Sequence, residues 1–336
     1  MSQLESILEG TTAQFADKRI YYCDLTANEQ NGSIMLTGAV LDKETITAVS
    51  DHLRTNLSTH NIDSSQVTIL RKTEPILLHV STTITSLHND PSWRSEQTTQ
   101  LLNGQAVELL QEKGTWAFIR QMDGYLGWIY RPYISDATPP QNEYWVYEPV
   151  ALLKDKPTPD AKLVSRVLGG TAVFVQDTQN GWAKIELVGG LTGWLPAEQL
   201  RPQNSQPKDE HALRAQMIAD AHTLMGVPYL WGGSSAYGID CSGFAQLIHR
   251  LSGMTLLRDA DMQMENGRVV ASNYQPGDLF FFGDSGGHRR VSHVGISLGG
   301  WEMIHASRSK NGVYIDNVQA VDHLRDSFLG ARTYLA

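Results

Sequence analysis

Cysteine is scarce in this chain, with 2 among 336 residues. Two thiols close one disulfide at most, which excludes a disulfide scaffold and leaves Cys23 and Cys241 to be read individually. Long apolar runs are missing as well. No stretch approaches the roughly 20 apolar residues that cross a bilayer, so no membrane partner is expected. Runs of Lys and Arg are absent and the formal charge is −9, so the dense basic surface that nucleic acid requires is not there. No Cys/His spacing suits zinc and no phosphate loop occurs, so neither a metal nor a cofactor is expected. The start of the chain has neither the basic nor the apolar region of a secretory signal, and its first base is Lys18. The expected location is therefore cytoplasmic. What is present, 41% hydrophobic and 19% charged residues, is the composition of a globular protein long enough for several domains.

The middle of the chain repeats itself. Leu102, Gly104, Ala106, Val107, Trp116, Ala117, Ile119, Gly124, Gly127 and Trp128 recur 66 positions later as Leu168, Gly170, Ala172, Val173, Trp182, Ala183, Ile185, Gly190, Gly193 and Trp194. Each copy alternates in short segments between Gly turns, the pattern of a small β-barrel. Polar, Pro-bearing linkers follow the copies at residues 136–142 and 201–208. Residues 1–72 read as a small α+β unit with strands at 19–25, 33–40 and 67–70 and a helix at 44–56. They carry no recognisable chemistry, and Cys23 reads as a buried apolar thiol.

The last third differs. Leu213, Met217, Ala221 and Leu224 stripe a helix over 210–225, which Gly226 and Pro228 stop. After a Gly-rich segment, Phe244, Leu247, Ile248 and Leu251 follow Cys241 at helical spacing, placing Cys241 in a first turn. The positive end of a helix favours thiolate and lowers a cysteine pKa from about 8.5. On position alone, a buried thiol without a role competes with that reading. Residues 291–298 alternate and resume after Gly299-Gly300 as a hairpin partner. A two-residue turn puts His293 and His305 on opposite faces. A three-residue turn, or a single-residue bulge, pairs them on one face. A thiol at a helix start, a His that moves its proton and a polar group orienting that His form a cysteine-nucleophile arrangement. Cys241 attacks a carbonyl carbon, His293 protonates the leaving amine and His305 holds the His293 tautomer.

Tyr229-x-Trp-Gly-Gly, Gly238-x-Asp-Cys-Ser-Gly-Phe, Pro276-Gly-Asp-Leu-x-Phe-Phe, His293-Val-Gly-Ile and Ile304-His-Ala resemble the motifs of NlpC-type papain-like cysteine peptidases over residues 208–336. The repeat copies, at 76–138 and 143–203, resemble bacterial SH3 domains through their Gly-x-x-Gly-Trp pattern. The implied fold class is multidomain α+β: a small N-terminal unit, two SH3-like barrels and a papain-like catalytic domain. This architecture resembles γ-D-glutamyl-L-diamino acid endopeptidases of the dipeptidyl-peptidase VI type. The resemblance implies a cysteine endopeptidase that recycles murein-derived peptides. Such enzymes cut before meso-diaminopimelate or Lys and release L-Ala-γ-D-Glu from peptides with a free N-terminal L-Ala.

Carried onto this chain, the resemblance makes Cys241, His293 and His305 catalytic and Asp240, Ser242 and Tyr125 substrate-contacting. Glu96 is the candidate carboxylate for the substrate ammonium, with Asp90 the runner-up and a solvated loop acid the competing reading. Tyr229 lines the cleft and Trp231 forms a wall, against core packing for both. Arg258-Asp259 begins an Arg-Asp-Ser stretch in which position 260 is Ala, so fine specificity at Asp259 and Ala260 departs from the pattern. His288, Arg289 and Arg290 are read either as facing an acidic substrate or as solvated surface. His211 and His249 are assigned nothing. Two alternatives stay open: a hydrolase of intact peptidoglycan anchored by its SH3 domains, and a non-catalytic binder of wall peptides.

Overall fold

A computed structural model describes residues 3–30, 32–141, 143–283 and 291–335. His288, Arg289 and Arg290 lie outside the described residues. The chain divides into two compact units, one reaching to Leu78 and including Ala106–Arg131, the other comprising His79–Gln105 and the chain from Pro132 onward.

The first unit opens with helix α1 (Gln3–Thr12) and a three-stranded sheet of Cys23–Gln30, Ser33–Val40 and Asn61–Ile69. The first two strands run antiparallel, and α2 (Lys43–Asn56) crosses over to make the second pair parallel. Alternate residues Ile34, Leu36 and Val40 meet Ile46, Val49 and Leu53 of α2 in one core. Two expectations need correction here. The first strand starts at Cys23 and not at 19, because Asp17 accepts bonds from the Arg19 N–H and side chain and holds 17–21 in a turn. The third strand runs over Asn61–Ile69 and not 67–70, because Asn61, Ile62, Asp63 and Gln66 also pair with the central strand, across a register shift. Cys23 is half-buried beside this core, and burial with the neighbouring Asp24 charge pushes its thiol up to about 11. The same unit holds a meander of Ala106–Lys113, Trp116–Gln121 and Leu126–Tyr130 around Leu110, Phe118 and Trp128.

In the second unit, Ile84–His88 and Gln97–Leu102 form a hairpin. A seven-stranded antiparallel sheet follows, ordered Leu163–Leu168, Val150–Lys154, Thr192–Pro196, Trp182–Glu186, Ala172–Gln179, Tyr144–Val146, Leu200–Pro202. The repeat has a backbone reason. Gly104 and Gly170 have φ of 81° and 87°, and Gly124 and Gly190 have 97° and 81°, conformations that side chains disfavour.

The C-terminal domain packs α3 (Glu210–Thr223) and α4 (Cys241–Leu251) against a six-stranded antiparallel sheet. Its order is Arg268–Val270, Phe328–Thr333, Leu279–Phe282, His293–Gly299, Glu302–Ser307, Gly312–Asn317. Both faces are covered: Phe281 joins Phe244, Ile248, Val294 and Ile304 on the α4 side, while Phe280 and Phe282 join Leu324 and Val318 on the other. That is why Leu279–Phe282 is apolar throughout and does not alternate. Two short helices, α5 (Ala260–Asn266) and α6 (Asp322–Ser327), complete the domain. Among the described residues no helix is long and apolar enough to cross a membrane.

Candidate active site

Asp240 explains why α4 begins where it does. Its Oδ1 accepts the Gly243 N–H at 2.7 Å, capping the helix and presenting Cys241 in the first turn. Gly243 has to be glycine, since a Cβ there would collide with the Gly233 carbonyl. The Asp240 carboxylate is fully engaged within the protein: Oδ2 also accepts the Gly232 N–H at 2.9 Å and Arg258 at 2.7 Å, while Arg258 donates again to Oδ1 and to Ser242. Arg258 further donates to Thr99 Oγ1 at 2.6 Å. The side chains of Arg258 and Asp240 are only 2% and 8% exposed. Replacing Arg258 leaves the buried Asp240 carboxylate without its counter-charge, held by backbone N–H groups, which costs about 3–5 kcal/mol. Arg258→Met therefore lowers the melting midpoint by about 10 °C in a calorimetric scan; a midpoint within 1 °C of wild type would show that the pair carries no such weight.

The hairpin contains the bulge that a shared face for the histidines requires, between Ser297 and Gly299. Its Ile296↔Ile304 register puts Gly295, not His293, opposite His305, so the histidines meet diagonally. His293 Nε2 lies 2.7 Å from His305 Nδ1. His305 is buried, its ring edge-on to Tyr314 at 4.6 Å. The Val294 N–H, next to His293, faces the Cys241 sulfur.

The charge state of the thiol reverses the expectation from the helix terminus. Burial, reinforced by the Asp240 carboxylate, pushes the Cys241 thiol up to about 12; the Val294 and Ser242 N–H groups and Arg258 oppose this without overcoming it. Burial also pushes His305 down to about 4 and holds His293 well below its ordinary value, with the positive charges of neighbouring histidines adding. At rest Cys241 is therefore a thiol, and His293 and His305 are neutral imidazoles. His249 is a third neutral imidazole, buried and pushed down to about 4, with Nδ1 on the Ala245 carbonyl at 2.8 Å. Because the unfolded chain binds these protons first, stability falls as pH drops from about 6.5 toward the folded values, by about 1.4 kcal/mol per pH unit for each group. His249→Leu makes the fall in unfolding free energy between pH 6 and 4.5 shallower, by about a third of the three-imidazole contribution. An unchanged slope in urea titrations would contradict this assignment.

The remaining candidates divide. Tyr229 is half-buried in the field of Cys241, and burial pushes its hydroxyl up to about 12. Trp231, 43% exposed, donates its Nε1–H to Glu96 Oε1 at 2.7 Å, and Asn89 donates to Oε2 at 2.9 Å. Asp90 instead accepts Ser95 Oγ within its own loop. Strand Gln97–Leu102 docks on the same segment, with Gln97 Nε2 on the Trp231 carbonyl at 3.0 Å and Ser234 Oγ on the Gln100 carbonyl at 2.9 Å. Ser242 is buried against Arg258. Asp259 is half-buried before α5, and Ala260 packs into the core. Tyr125 is buried in the first unit, its N–H on the Asp123 carboxylate at 3.0 Å.

Residues 226–332 match the NlpC/P60 family, 87–131 the bacterial dipeptidyl-peptidase Sh3 domain and 152–200 the bacterial SH3 domain. A gamma-D-glutamyl-L-lysine dipeptidyl-peptidase of Bacillus cereus is 30% identical over 254 residues, 70% of this chain and 75% of that one. The chain belongs to the NlpC/P60 family. Dipeptidyl-peptidase 6 of Lysinibacillus sphaericus is 27% identical, covering 69% of this chain and 88% of its own. A solved structure of an NlpC/P60 family protein from Bacillus cereus superposes with a TM-score of 0.68 at 25% identity, covering 77% of this chain and all of that one. This NlpC/P60 cysteine peptidase thus carries two SH3-like regions and a small N-terminal helix-and-strand unit.

Three residues of the site went unassigned in the sequence. Arg258 ties Asp240, the cap of the helix that begins at Cys241, to Thr99. Arg308 lies over the rings of Tyr229 and Trp231, 5.4 and 5.1 Å from their centroids. Asp316 stands beside His305. The available signal for Asp316 was an acid in the β-like run Val313-Tyr-Ile-Asp316, next to the hairpin that carries both histidines.

Proposed function

We propose that this NlpC/P60 peptidase hydrolyses the γ-D-glutamyl-L-diamino acid bond of murein peptides with a free N-terminal L-Ala. It releases L-Ala-γ-D-Glu from before Lys or meso-diaminopimelate, as a cytoplasmic step of cell-wall peptide recycling. One observation carries the reading: the Glu96 carboxylate accepts from the indole N–H of Trp231, and Arg308 lies over the rings of both Trp231 and Tyr229, the latter in the field of Cys241. A carboxylate there suits an α-ammonium, and an acylated peptide offers no such charge. Arg308 on the same two rings supplies the opposite sign, and a γ-linked glutamate keeps a free α-carboxylate to meet it. The name of the Bacillus cereus relative, a gamma-D-glutamyl-L-lysine dipeptidyl-peptidase, supports this choice of bond, and that of the Lysinibacillus sphaericus relative, dipeptidyl-peptidase 6, supports release of a dipeptide.

In this reading the Cys241 thiol gives its proton to His293 as sulfur bonds to the γ-carbonyl carbon. The tetrahedral intermediate collapses with loss of the diamino acid's amine, which takes the proton from His293. Water, deprotonated by His293, then cleaves the thioester; the dipeptide acid leaves and the proton returns to sulfur. Rates on L-Ala-γ-D-Glu-L-Lys and on its N-acetylated form test the proposal, with a strong preference for the free amine expected.

A further inference from the structure

We infer that Asp316 is a positioning residue for this chemistry: through His305 it fixes which nitrogen of His293 is free to take the Cys241 proton. The inference rests on the reading of Cys241 and His293 given above. It starts from the 2.7 Å contact between His293 Nε2 and His305 Nδ1, in which one neutral ring must donate and the other accept. Nothing within that pair decides the direction. The other nitrogen of His305 does.

His305 Nε2 is buried and makes no hydrogen bond of ordinary geometry. The carboxylate oxygen Oδ2 of Asp316 stands 3.4 Å away. That separation is long, as contacts in resting active sites often are before substrate tightens them. An ionised carboxylate offers acceptors only, so the proton of neutral His305 belongs on Nε2. His305 Nδ1 then carries a lone pair and accepts from His293 Nε2–H. The proton of His293 is thereby placed on Nε2, and its Nδ1 is left as the base.

Without the carboxylate, His305 can carry its proton on Nδ1 and donate to His293, which puts the His293 proton on Nδ1 and blocks the base. Asp316 is itself held: Lys310 Nζ lies 2.8 Å from its Oδ1 and 4.2 Å from the Tyr314 ring centroid. The strand pairing His305↔Tyr314 brings Asp316, two residues on, to the same face as His305. The groups acting on His305 are Asp316, Lys310, His293, His323 and the Tyr314 ring.

The test compares Asp316→Asn, Asp316→Glu and Cys241→Ala on L-Ala-γ-D-Glu-L-Lys. Asp316→Asn lowers kcat by about 10–100-fold, less than the roughly 10⁴-fold seen when a carboxylate bonded directly to the base is lost. KM stays within about twofold, since the residue acts on the chemical step and not on binding. The acid limb of kcat/KM moves to lower pH, because the carboxylate no longer supports positive charge on the imidazole pair. Asp316→Glu recovers most of the rate. Wild-type kcat in Asp316→Asn overturns the inference, as does a lowered kcat with an unmoved acid limb, which marks a merely structural role. Histidine ring ¹⁵N shifts of the wild-type enzyme decide it even if Asp316→Asn fails to fold: protonated Nε2 on His305 is expected, and protonated Nδ1 refutes it. Should Cys241→Ala retain turnover, the underlying reading has failed. Should it be inactive while Asp316→Asn matches wild type, only the role of Asp316 has.

Discussion

Cys241→Ala lowers kcat on L-Ala-γ-D-Glu-L-Lys by at least about 10⁴-fold, to the uncatalysed background, while the protein stays folded. The size follows from where the sulfur sits. In the proposed mechanism it is the nucleophile; it stands at the head of α4, with the Val294 and Ser242 N–H groups directed at it. The fold survives because Ala keeps the helix start and the Asp240 cap, losing one buried sulfur that contributes about 1 kcal/mol of packing. Chromatographic detection of the dipeptide together with circular-dichroism melting reads both halves of the prediction. Turnover above a tenth of wild type in a folded variant would remove Cys241 from the chemistry.

Local pattern made much of the architecture legible. Phe244, Leu247, Ile248 and Leu251 have helical spacing in the sequence, and all four are buried on one side of α4. The Gly turns of the repeat also read locally, because positive φ is a property of single residues. The facing of His293 and His305 reduced to a count of hairpin residues, and the bulge at Ser297 supplies the needed odd step.

What local pattern does not contain is burial produced by distant chain. Arg258 meets Asp240 across 18 positions and Thr99 across 159. The direction of the Cys241 shift depends on how completely the rest of the domain covers the sulfur. The helix dipole, which is visible in the sequence, loses to desolvation, which is not. Arg308 and Asp316 sit in ordinary charged positions of a strand and its turn, and only the fold brings one to Tyr229 and the other to His305. Helix α1 has few strong signals in its ten residues and takes its order from packing Leu4, Ile7 and Leu8 on the N-terminal core.

The second large effect concerns the amino-terminus of the substrate. In the proposed reading, an ammonium that meets Glu96 beside the indole of Trp231 exchanges its hydration for a charge-assisted bond. Acetylation removes the charge, adds bulk and leaves the carboxylate facing an amide. Loss of one partner from such a pair costs about 3–4 kcal/mol, so kcat/KM falls by about 10²–10³-fold on N-acetylation. Glu96→Gln brings the free-amine rate down by a similar factor and leaves the acetylated rate where it was, so the ratio between the two substrates collapses. The most direct test of the proposed function is the ratio of kcat/KM for L-Ala-γ-D-Glu-L-Lys to that for its N-acetyl form. A ratio of about 10² or more, lost in Glu96→Gln, is the expected result; equal rates on the two substrates would contradict it and point to a hydrolase of intact wall peptides.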